Sequence, residues 1–162
     1  MATMSALRFE DPAGPERMIQ TLQSLQSQGL ITVLDAAVLH RKDDGKVKVK
    51  QANSLVGAGA LGGAFWGMLI GLLFFVPWLG AAVGAASGAF AGRFSDYGID
   101  DDFIKEVGQS INPGDSALFL YTADAVKDKV VAAVEGEHFE ILHTNLSFED
   151  EEALREAFGA GA

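Results

Sequence analysis

The sequence predicts an α+β protein, an antiparallel sheet with helices that is interrupted by an inserted helical hairpin. Three observations predict it. Short apolar runs of strand character alternate with helical patterns over residues 4–51 and again over residues 97–158. Between them, residues 51–92 contain no charged side chain. That stretch carries two glycine ladders: Gly59, Gly63, Gly67 and Gly71 recur every four residues, and after Pro77 so do Gly80, Gly84, Gly88 and Gly92.

Each element has its own signal. Residues 4–10 are a weakly marked first strand, and Asp11-Pro12-Ala13-Gly14-Pro15 turns the chain into a helix. Met18, Ile19, Leu22 and Leu25 fall at three- and four-residue spacing, so that helix runs to about residue 28. Gly29 suits its C-terminal cap. Residues 30–40 form a strand, and Asp43-Asp44-Gly45 is hairpin-turn chemistry. Lys46-Val47-Lys48-Val49-Lys50 alternates strictly, as a half-buried strand does, and its lysine face suits a sheet edge. Asn53 or Ser54 can cap the first hairpin helix. Residues 99–111 form an amphipathic helix with Asp100, Asp101 and Asp102 at its positive end. Asn112-Pro113-Gly114-Asp115 breaks it. Residues 117–121 are a buried strand. Residues 124–135 are a helix with Val126, Val130, Val131 and Val134 turned inward. Residues 138–146 are the last strand and 148–158 a short acidic helix. The remaining residues, 159–162, are expected to form a mobile tail. Without the insert, this order matches a ferredoxin-like unit: an antiparallel sheet with helices on one face. The domains are therefore residues 4–51 with 97–158 for the ferredoxin-like body, and 53–93 for the insert.

Several motifs together resemble one family. They are Gly45-Lys46-Val47-Lys48-Val49-Lys50-Gln51, the glycine-rich stretch 57–92, Gly92-Arg93-Phe94-Ser95-Asp96-Tyr97-Gly98-Ile99-Asp100-Asp101-Asp102-Phe103-Ile104, and Pro113-Gly114-Asp115-Ser116-Ala117-Leu118-Phe119. Over residues 7–158 the chain resembles the bacterial family catalogued only as domain of unknown function number 1269, often labelled as membrane proteins. It departs from that pattern over residues 1–7, where the first strand is short and polar. The resemblance implies a ferredoxin-like body with an inserted glycine-rich hairpin. It implies no activity and no catalytic residues.

Glycine costs roughly 1 kcal/mol per helical position relative to alanine. Four in one helix therefore need a compensating reason, and close backbone approach between helices is the usual one. The eight ladder glycines are the expected packing and oligomerisation residues. Trp66, Leu69, Ile70, Leu73, Phe74, Phe75 and Trp78 are the expected contacts with lipid or with another apolar surface. The first arm, residues 53–76, would be roughly 36 Å long as a helix, against a hydrocarbon core of about 30 Å. The second arm, residues 78–92, would reach only about 22 Å. It spans by extending past Arg93 or in a thinned bilayer. Arg41, Lys42, Lys46, Lys48 and Lys50 precede the insert and Arg93 follows it, so an inserted hairpin keeps both ends cytoplasmic. A soluble assembly that buries the hairpins between copies uses the same glycines equally well.

Other chemistry finds little support. The net charge is −10, and residues 94–162 hold sixteen acidic groups against four basic ones. This balance argues against nucleic acid as a partner. There is no cysteine, so disulfides and thiolate metal sites are excluded. Residues 1–9 lack the apolar core of a secretory signal. Gly57-Ala58-Gly59-Ala60-Leu61-Gly62 matches a dinucleotide fingerprint, but no acidic residue follows about twenty positions on. His138 and His143 point to opposite faces of one strand and make poor co-ligands. All three histidines, including His40, read as edge or surface residues, and Asp100 to Asp102 are better read as a helix start than as a metal site. No nucleophile has a neighbouring base. The expectation is a non-enzymatic, membrane-associated homo-oligomer, needing no cofactor, with its folded body in the cytoplasm. The alternatives are a soluble cytoplasmic ring or shell, and a regulatory module for an unknown small molecule.

Overall fold

A computed structural model of the chain describes residues 2–56, 59–74, 94 and 97–158. Its strands are β1 (Ala2–Phe9), β2 (Thr32–Arg41), β3 (Val47–Gln51), β4 (Ser116–Ala123) and β5 (Glu140–Leu146). Its helices are α1 (Gly14–Ser27), α2 (Asn53–Val56), α3 (Gly62–Phe74), α4 (Asp101–Ser110), α5 (Lys127–Val134) and α6 (Phe148–Phe158). The five strands form one antiparallel sheet in the order β3-β2-β4-β1-β5. The four-strand order β5-β1-β4-β2 is the ferredoxin-like arrangement that the element order predicts. β3 is an additional edge strand beside β2. The lysine alternation marked it correctly, and Lys48 and Lys50 are exposed.

β1 differs from expectation. It is eight residues long, central, and mostly buried, with Ala2 opposite both Ala123 and Leu146. Its small side chains Ala2 and Ala6 leave room for bulky neighbours above the sheet, which is why it carries little apolar signal. α1 follows its periodicity, since Met18, Ile19, Leu22 and Leu25 are all buried. α4 is capped as its acidic start suggests: the Asp100 carboxylate accepts from the Phe103 N–H at 2.8 Å. α6 opens on a reciprocal pair. The Asp150 N–H donates to Ser147 Oγ at 3.1 Å, and the Ser147 N–H donates to the Asp150 carboxylate at 3.1 Å. α5 corrects the reading of its valines. Val130 and Val134 are half-buried, but Val126 is 40% exposed and Val131 58% exposed.

Helices cover both faces of the sheet, not one. α1, with Leu55 of α2, packs on a face formed by Leu7, Phe9, Val33, Ala36, Val38, Leu118 and Leu120. α3, α4 and Leu154 of α6 pack on the opposite face, over Met4, Ala37, Leu39, Phe119 and Tyr121. The insert thus provides the cover of the second face. The second arm of the expected hairpin and the tail 159–162 lie outside the described residues.

Candidate functional site

A buried carboxylate ties the start of the insert to the body. In β2 the register with β4 slips between Val33 and Asp35, because Val33 lies opposite Thr122 and Asp35 opposite Tyr121. Leu34 is the extra residue of a bulge, and the bulge turns Asp35 to the insert side of the sheet. Asp35 is fully buried. Its carboxylate accepts from the N–H groups of Leu61 at 2.7 Å, Gly62 at 3.0 Å and Ala36 at 2.8 Å. Two of those donors open α3, so a side chain from a distant strand caps that helix and meets its positive end. The Ala60 N–H adds a bond to the Leu34 carbonyl at 2.9 Å.

The same geometry decides the dinucleotide-like motif. A phosphate-binding loop presents free N–H groups at a helix start. Here Leu61 and Gly62 already donate to the Asp35 side chain, so those N–H groups are not free for a phosphate. Gly59, the first rung of the ladder, is not helical. It has φ +75, and an added Cβ would collide with the Asp35 carboxylate. Its glycine serves the turn.

α3 has two dissimilar faces. Phe65, Trp66, Leu69 and Ile70 are buried against the sheet and α4. Phe65 meets Trp66 edge-on at 4.9 Å between ring centroids and Phe94 at 5.6 Å, and Trp66 lies 6.2 Å from Phe119. Leu73 and Phe74 are half-buried at the helix end, where the Arg41 guanidinium sits 5.2 Å from the Phe74 ring centroid. Trp66, Leu69 and Ile70 therefore fill this domain's own core, a placement that differs from the expected lipid-facing row. The alternation of large and small residues along α3 fits both uses, which is why the sequence alone could not separate them.

The opposite face carries the ladder. Gly63 lies in α3, Gly67 is exposed and Gly71 is half-exposed. Among the described residues, a Cβ added at Gly67 or Gly71 would meet no atom within 4 Å apart from its chain neighbours and its own helix backbone. The glycine that permits helix–helix approach among the described residues is Gly108 of α4. A Cβ there would lie 2.8 Å from the Leu73 carbonyl oxygen. Sequence reasoning passed over Gly108 because it stands alone, and passed over Asp35 although a single carboxylate inside an apolar strand was its available signal. Gly80, Gly84, Gly88, Gly92, Phe75 and Trp78 lie outside the described residues. α3 is roughly 20 Å long, and no described helix is long and apolar enough to cross a membrane.

A separate cleft of about 680 Å³ opens beside Arg8, Glu10, Asp11, Glu137, His138 and Glu140. Four of its lining charges are paired. Arg8 pairs with Asp115 at 3.2 Å and Glu140 at 3.1 Å, and Arg17 with Asp11 at 2.8 Å and Glu137 at 3.0 Å. Burial works to lower the Arg8 pKa, and its bonds to Asp115 and Glu140 outweigh it and raise it. The Arg17 hydrogen bond holds the Asp11 carboxyl below the usual range. This is a largely exposed ion-pair network, and Glu10 joins none of the ion pairs found among the described residues. Among the described residues no cluster of His, Asp and Glu has the arrangement of a metal site.

A family model described as "Protein of unknown function (DUF1269)" matches residues 60–159, from the α3 junction through α6. The chain belongs to this family. The matched span begins at the insert rather than at residue 7, so the strands β1 to β3 lie outside it. No curated protein and no solved structure matches the chain.

Proposed function

We propose that this chain is a non-enzymatic self-assembly module. The glycine face of α3 packs against another copy, and the charge-free segment 75–92 brings the assembly to a bilayer, with the folded body on the cytoplasmic side. The observation that carries this reading is the two-faced α3, with large apolar side chains on its own sheet and Gly67 exposed on the other side. Helical glycines facing outward cost stability in a lone domain, and close approach of a second helix offsets that cost. The ladder continues in the sequence at Gly80, Gly84, Gly88 and Gly92, and Arg93 with the basic run 41–50 favours a cytoplasmic orientation.

A soluble assembly is the second reading. The burial of Trp66, Leu69 and Ile70 inside the domain favours it, because it withdraws the bulkiest apolar residues of α3 from any lipid. Native mass in detergent-free buffer, paired with liposome flotation of the same sample, separates the two. Flotation with lipid supports the membrane reading. A discrete multi-copy particle that stays at the bottom supports the soluble one. A monomer that ignores lipid defeats both.

A further inference from the structure

A second concavity lies where the Asp35 junction meets α6. Its volume is about 200 Å³, and its walls include Leu34, Leu61, Tyr121, Asp124, Glu151 and Arg155. Four features set it apart. Glu151 Oε2 is buried and has no hydrogen-bond partner among the described residues. A buried carboxylate oxygen without a donor is costly, and in native proteins it usually signals a missing ligand or water. Arg155 stands one turn further along the same face of α6, where an i, i+4 pair with Glu151 would ordinarily form. It is exposed, and its guanidinium joins none of the ion pairs found among the described residues. Asp124 has φ +54 and is the one non-glycine residue among those described with a left-handed backbone. Such strain gathers at binding sites.

Tyr121 lines the same cavity as the two charges. Burial pushes its phenol up to about 12, with Glu151 adding to the rise and Arg155 opposing it. The hydroxyl therefore stays protonated at neutral pH and is a hydrogen-bond donor. All three side chains belong to the wall of this one cavity.

We propose that this cavity binds a small zwitterion, a molecule with one ammonium and one carboxylate group such as a free α-amino acid. The ammonium donates to Glu151, with the Asp124 carboxylate nearby, and the carboxylate accepts from Arg155 and the Tyr121 hydroxyl. The opposite charges of one ligand satisfy two protein charges that do not satisfy each other. The volume suits it, since 200 Å³ equals about seven water volumes at ~30 Å³ each, comparable to a small amino acid. Leu34 and Leu61 supply apolar wall on either side of the Asp35 clamp, so a bound ligand would brace the start of α3. This site is separate from the glycine face and stands independently of the assembly reading.

The test is thermal shift and calorimetry of the full chain against the common amino acids. Each is paired with an amine and a carboxylate of matching size that lack the other charge. The expected result is a melting-temperature rise of roughly 3–6 °C for at least one amino acid at about ten times its Kd. The single-charge analogues should give no comparable rise. Arg155→Gln, at an exposed position that leaves the fold intact, should weaken binding about ten-fold or more, as should Glu151→Gln. The proposal is overturned if no amino acid binds, if a single-charge analogue binds as well, or if folded Arg155→Gln keeps the wild-type affinity.

Discussion

The two faces of the sheet are built differently. The α1 face is mostly aliphatic and leaks at its margin, where Val126 and Val131 of the α5 region stay exposed. The insert face is richer in aromatic rings. Trp66, Phe65, Phe94 and Phe119 are among the largest fully buried side chains of the protein, and all four belong to it. Small residues on the sheet beneath them, Ala2, Ala6, Ala37 and Ala117, make the space that these rings fill. A segment that interrupts a fold in sequence is commonly an appendage in space. Here its first helix completes the core, while Gly67 on its other side is exposed.

Substitutions on the insert face should therefore cost most. Trp66→Ala empties a fully buried site between Phe65 and Phe119, and we expect a loss of about 3–5 kcal/mol in chemical denaturation. A loss below 1 kcal/mol would mean that the insert does not hold the body together. Asp35→Ala should follow at about 3 kcal/mol, because it strands the buried N–H groups of Leu61 and Gly62 and removes the cap of α3. Hydrogen exchange should show α3 amides opening first in that variant. Gly59→Ala should cost about 2 kcal/mol, from left-handed backbone strain and displacement of Asp35. On the α1 face, Val131→Ser should change stability by no more than about 0.5 kcal/mol. A large loss there would indicate a partner seated on α5.

Alkaline unfolding offers a finer comparison, since Tyr121 belongs to the insert face. Its folded pKa lies above its ordinary value of 10.0, at about 12. The folded state thus holds this proton more tightly than the unfolded chain. The associated stability is complete below pH 10 and is lost as pH rises towards 12. Tyr121→Phe should flatten the stability profile across that interval. An unchanged slope would assign the alkaline loss to other groups.

Much of the body was legible because its signals are local. The spacing of Met18, Ile19, Leu22 and Leu25 names the buried face of α1 without any tertiary information, and the lysines of residues 46–50 name an edge. The Asp100 cap is also a local signal. What escaped depends on distant contacts. β1 looks short and polar because its alanines accommodate aromatic rings that arrive more than sixty residues later in the chain. The α5 valines have helical spacing, but the helix lies too far out to bury them. The ladder shows the limit most plainly. Gly59 and Gly67 occupy equivalent rungs in the sequence, yet one is a left-handed turn on Asp35 and the other a helical surface position. Periodicity records spacing and says nothing about the sign of φ. That sign is set by the β2 bulge, which depends on pairing with β4.

The central claim is that α3 divides its labour, with the inner face folding the domain and the outer glycine face joining copies. Native mass of Gly67→Leu beside the wild type, both also followed by thermal melting, tests it most directly. Leucine is a better helix former than glycine by roughly 0.8 kcal/mol and Gly67 is exposed, so the variant should still melt as a folded chain, short only of what assembly contributed. The account predicts a wild-type particle several times the 17.1 kDa chain mass and a Gly67→Leu variant that is folded but smaller. A folded variant with the wild-type mass would contradict it.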